Sequence, residues 1–86
     1  MNREQEIETS KEQLREAYRV LVQKTRELQE INERIQQTDN EETRRNITFF
    51  RVVLEGEISD VQQVIELIRE DIRELERSNY REESSG

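Results

Sequence analysis

Apolar residues return at every seventh place along the first half of the chain: Ile7, Leu14, Leu21, Leu28 and Ile35. A companion row three places on reads Ser10, Ala17, Lys24, Ile31 and Thr38. Two interleaved heptad rows put one narrow stripe along a helix, because a repeat of 3.5 residues per turn keeps both rows on one side. The places between them carry Glu, Gln, Arg and Lys, which lose little side-chain freedom in a helix. The spacing predicts a first helix over about 3–37. Its companion row argues against a parallel homodimer, which would set Lys24 on Lys24 and Ser10 on Ser10.

The second half repeats the pattern. Ile58, Ile65 and Ile72 form one row, and Val61, Ile68 and Leu75 form the other. Carried backwards, the rows meet Leu54, Arg51 and Ile47, which predicts a second helix over about 42–79. Between the halves the frame fails, since it would place Glu42 and Arg45 in the stripe. There the chain reads "TDNEE", residues 38–42. Thr38 with Glu41, and Asp39 with Glu42, have the spacing of a capping box, which marks a helix start. A turn is expected over 38–41.

Folding the chain back near residue 41 pairs the rows so that facing residue numbers add to 82. One set of layers joins Ile7 to Leu75, Leu14 to Ile68, Leu21 to Val61, Leu28 to Leu54 and Ile35 to Ile47. The other joins Ser10 to Ile72, Ala17 to Ile65, Lys24 to Ile58 and Ile31 to Arg51. Small residues meet large ones in the first layers of that second set. The flanks add little: Glu27 falls near Glu57, and Val20 meets Val64. The predicted fold is all-α, an antiparallel coiled-coil hairpin in one domain over 1–80, with a flexible tail over 81–86.

The stretch "NITFFRVVLEGEIS", residues 46–59, is the dissenting one. Its β-branched and aromatic residues favour a strand, and Gly56 would end it. The alternative fold is therefore helix–strand–helix, with 47–54 pairing to a second subunit. The helical reading is preferred because a lone strand leaves its backbone groups without partners.

Several apolar residues lie off the seam. Phe49, Phe50, Val52, Val53, Val64 and Leu67 do so on the second helix, and Tyr18, Val20 and Val22 on the first. Phe50, Val53, Val64 and Leu67 share a flank, interrupted by Glu57 and Asp60. A helix apolar on more than one stripe is buried by more than one neighbour. Two hairpins would supply that neighbour by pairing into a four-helix bundle. The expected partner surface is Tyr18, Val20, Val22, Phe49, Phe50, Val53, Val64 and Leu67.

Composition narrows the function. The chain has 86 residues, 41% of them charged, and a net charge of −7. Burying so many charges in a compact globule would cost more than so small a core supplies. The negative charge argues against nucleic acid, whose phosphates need a basic face. The longest apolar run, Val52-Val53-Leu54, is far too short to insert in a membrane. The start "MNREQEIETS" lacks the apolar core of a signal peptide, so a soluble, intracellular and by default cytoplasmic protein is expected. Asn46-Ile47-Thr48 fits a glycosylation pattern, which such a location leaves unused.

Chemistry is sparse. His and Cys are both absent, which removes the imidazole base, thiol nucleophiles and most transition-metal ligands. Glu66, Glu70, Asp71 and Glu74 loosely resemble the acidic clusters with which helical nucleotide pyrophosphatases hold magnesium. They alternate with Arg69, Arg73 and Arg77, however, and read as solvated pairs three residues apart. No catalytic residue, metal ligand or cofactor site is expected. The expectation is a non-enzymatic protein–protein interaction module acting by coiled-coil self-association, as an oligomerisation, scaffold or adaptor subunit. Its partners are itself, as a dimer, and another protein. The alternative is a small acidic chaperone or inhibitor that masks a hydrophobic or basic partner.

Overall fold

The computed structural model describes residues 2–85, with side chains described over 2–78. Among the described residues there are two helices, α1 over Arg3–Gln37 and α2 over Glu41–Ser85, and they pack against each other as a hairpin. No strand occurs among the described residues. The strand alternative for 47–54 is therefore overturned: that stretch is the interior of α2. Burial explains why helix wins over β-propensity, and the polar and aromatic side chains of the stretch are accommodated within it. Ile47 and Leu54 are buried on the hairpin's inner face. The Thr48 hydroxyl donates to the Arg44 carbonyl at 2.8 Å, so its polar group is satisfied within the helix. The Phe49 and Phe50 rings meet edge to face, with centroids 6.1 Å apart. Burial in a tertiary contact outweighs differences in propensity of well under 1 kcal/mol per residue.

Both helix starts are capped by asparagine. Asn2 Oδ1 accepts from the Gln5 N–H at 2.9 Å, and Asn40 Oδ1 accepts from the Thr43 N–H at 3.0 Å. The cap of α2 is thus Asn40, not Thr38 or Asp39 as the capping-box spacings suggest. Thr38 has another task. It ends α1 in an extended conformation, its N–H donating to the Ile35 carbonyl and its hydroxyl to the Arg34 carbonyl at 2.6 Å. The Arg44 guanidinium then donates to the Thr38 carbonyl at 2.7 Å, reaching across the turn from α2. Together these satisfy the Arg34 and Ile35 carbonyls of the last turn and that of the cap residue, work that a glycine-closed C-terminus would otherwise do.

The arms align antiparallel. Lys24 meets Glu57, Arg3 donates to the Ser78 carbonyl and Arg44 to that of Thr38; these paired numbers add to 81 or 82. Ile7, Ile47, Leu54, Ile65 and Ile72 are buried, together with the small Ser10. Leu14, Ala17, Leu21, Leu28, Ile31, Ile35, Ile58, Val61, Ile68 and Leu75 are half-buried. Among the described residues no side chain is fully enclosed, as befits a seam covered by one neighbour only. The molecule measures 69 × 17 × 14 Å. α2 is helical through Ser85, past the expected end at 79 and into the stretch expected as a flexible tail. Arg, Glu and Ser supply no helix breaker there. Gly86, the rest of that tail, lies outside the described residues.

Candidate interaction surface

Heptad geometry leaves α2 with a second stripe. Positions 50, 53, 57, 60, 64 and 67 alternate steps of three and four residues, the spacing of a seam, but they lie off the first one. At 100° per residue their mean direction is about 100° round the helix from the inner seam. The side chains there are Phe50, Val53, Glu57, Asp60, Val64 and Leu67. Phe50 is 62% exposed, Val53 and Val64 47% each, and Leu67 70%. Val20 on α1, half-buried, borders this flank. Phe49 and Val52 are also exposed, on neighbouring positions that face further from α1.

Tyr18 and Val22 do not join this flank. Helical spacing sets them on the opposite side of the hairpin, where they line a shallow concavity with Arg15, Arg19 and Arg26. The residues expected as one partner surface therefore divide into two. One is an apolar α2 flank. The other is a smaller α1 patch bordered by guanidinium groups, of which Arg15 and Arg19 also pair with Glu12 and Glu16.

No family model, no curated protein and no solved structure matches this chain. The surface is defined by its own chemistry.

That chemistry is dominated by local ion pairs. Glu66 pairs with Arg69, Glu70 with Arg73 and Glu74 with Arg77, each one helical turn apart and at 3.1–3.8 Å. No three acidic groups converge as a metal site would require, among the described residues. No helix there is long and apolar enough to cross a membrane.

One polar contact in the seam escapes heptad reasoning. Lys24 occupies an inner position, yet its Nζ lies 3.2 Å from Glu57 Oε2, with side chains 25% and 49% exposed. The aliphatic stem fills the seam while the ammonium reaches its edge. Glu57, expected to face Glu27, instead carries this cross-arm contact. Arg51 behaves alike, half-buried with its guanidinium 3.7 Å from Glu55. A pairing rule that considers only which residues face directly misses both, since the charged ends reach sideways.

Proposed function

We propose that this chain is a non-enzymatic protein–protein interaction module that works by self-association, two hairpins pairing into a four-helix bundle in an oligomerisation, scaffold or adaptor role. The observation that carries this reading is the exposed apolar flank of α2. The hairpin's own seam is filled without it, and four large side chains remain 47–70% exposed along one line. Apolar surface rimmed by charge is the usual mark of an interface. The total accessible surface supports the same reading. It is 6945 Å² for a 10.5 kDa chain, against roughly 5400 Å² for a compact monomer of that mass. A second hairpin would bring the ratio back towards the ordinary.

The test is the mass in solution, by size-exclusion chromatography with light scattering over a tenfold concentration range. A dimer is expected for the native chain. Val64→Glu should lower the mass towards that of a monomer while circular dichroism still reports helix. An unchanged mass for that variant would remove the α2 flank from the interface. The net charge of −7 favours a second reading, an acidic chaperone or inhibitor for a basic or hydrophobic partner. In that case the native chain is a monomer, and partner binding weakens steeply with salt.

A further inference from the structure

Resting on the self-association reading, we propose a specific joint: α2 of one copy packs on α2 of the other, antiparallel, about a two-fold axis passing between Ile58 and Ser59. The outer stripe of α2 is a palindrome in residue character. Its members are aromatic, aliphatic, acid, acid, aliphatic, aliphatic: Phe50, Val53, Glu57, Asp60, Val64, Leu67. In a two-fold interface each contact occurs twice, so a helix pairing with its own copy must complement itself when reversed. Reversal sets Phe50 on Leu67 and Val53 on Val64, apolar on apolar, while Glu57 meets Asp60, a like-charge contact that occurs twice and weakens the joint. Any heptad stripe can be paired antiparallel. What singles out this one is that no apolar residue meets a charge.

Three further features fit this joint and place it on α2 rather than α1. The stripe lies about 100° from the inner seam, close to the right angle between the two neighbours of a helix in a four-helix bundle. The corresponding flank of α1 carries Gln13, Glu16, Gln23 and Glu27 around the lone Val20, so it offers no matching stripe. At the axis, Glu57 is already held by Lys24 at 3.2 Å, which leaves the lysine to offset the acidic centre in both copies. Asp60 makes no ion pair among the described residues. It is the misfit of the joint, and it sets how tightly the copies hold.

The chain has no cysteine, so single cysteines report the geometry cleanly. Val53→Cys and Val64→Cys, one of them carrying a tag, are oxidised separately and mixed. Residues 53 and 64 of different copies face each other within disulfide reach, whereas two residues 53 sit about 16 Å apart along the antiparallel pair. The mixture should give a tagged–untagged covalent dimer, and each variant alone should give little. Crosslinking of each variant with itself would mean a parallel joint and would overturn the proposal. So would a native dimer that none of these cysteines crosslinks. A native chain that light scattering finds monomeric at every concentration would sink the self-association reading itself. As a second probe, Asp60→Leu should lower the dimer dissociation constant at least tenfold, while an unchanged constant places Asp60 outside the joint and overturns it.

Discussion

A methyl group added at Gly56 would meet no atom within 4 Å beyond its chain neighbours and its own helical backbone, and the residue sits inside α2 with no positive φ to require glycine. Gly56 also lies away from both stripes of the helix. Its only effect is on the flexibility of the unfolded chain and the exposure of helical backbone. Gly56→Ala should therefore stabilise the fold by about 1 kcal/mol, raising the thermal midpoint by roughly 4–8 °C at fixed concentration. Scanning calorimetry that found no rise would mean the space beside Gly56 is used by a partner. Asn40 works in the opposite sense. Its side chain holds the Thr43 N–H at the start of α2, and Asn40→Ala should cost about 1 kcal/mol, read as a lower midpoint in denaturant. Asp39→Ala, one residue away, should change little, since no helix start depends on it.

The inner seam was legible in the sequence because it repeats. Ile7, Leu54, Ile65 and Ile72 are buried in the heptad rows that first suggested them. The turn was legible from where those rows broke. The cap within the turn was not, because Thr38, Asp39 and Asn40 are all good N-cap residues, and only the backbone decides which hydroxyl or amide faces forward. The helical state of 47–54 was likewise undecided by local composition. It depends on Ile47 and Leu54 finding α1, whose facing residues Ile35 and Leu28 lie 12 and 26 places away in the chain. Lys24 is the clearest miss at this scale: heptad position alone makes it a flaw, whereas Glu57 beside it makes it tolerable. A half-exposed ion pair of this kind contributes less than about 1 kcal/mol. Burying a leucine contributes roughly 1.5–3 kcal/mol. Lys24→Leu should thus raise the thermal midpoint even though it removes a cross-arm salt bridge, and a lowered midpoint would show that the pair matters more than the packing.

At the scale of the molecule, the register of the hairpin has no knowledge of connectivity. Layers whose numbers add to 82 are satisfied within one chain or between two. Were residues 38–40 helical, α1 and α2 would run on as one rod of about 125 Å. Two such rods crossing near residue 41 would rebuild every layer with the arms exchanged, a domain swap. The turn prevents this with few bonds: the Asn40 cap, the Thr38 hydroxyl on Arg34, and the Arg44 clasp on the Thr38 carbonyl. Replacing Thr38, Asp39 and Asn40 together by alanine removes the first two and favours helix in their place. Small-angle scattering should then give a longest dimension near 125 Å in place of the 69 Å of the hairpin. A particle that stayed short would mean that the closeness of the arms within one chain, rather than these bonds, keeps the hairpin shut. The three turn residues add almost nothing to the core, yet they decide whether its two halves belong to one molecule or are shared between two.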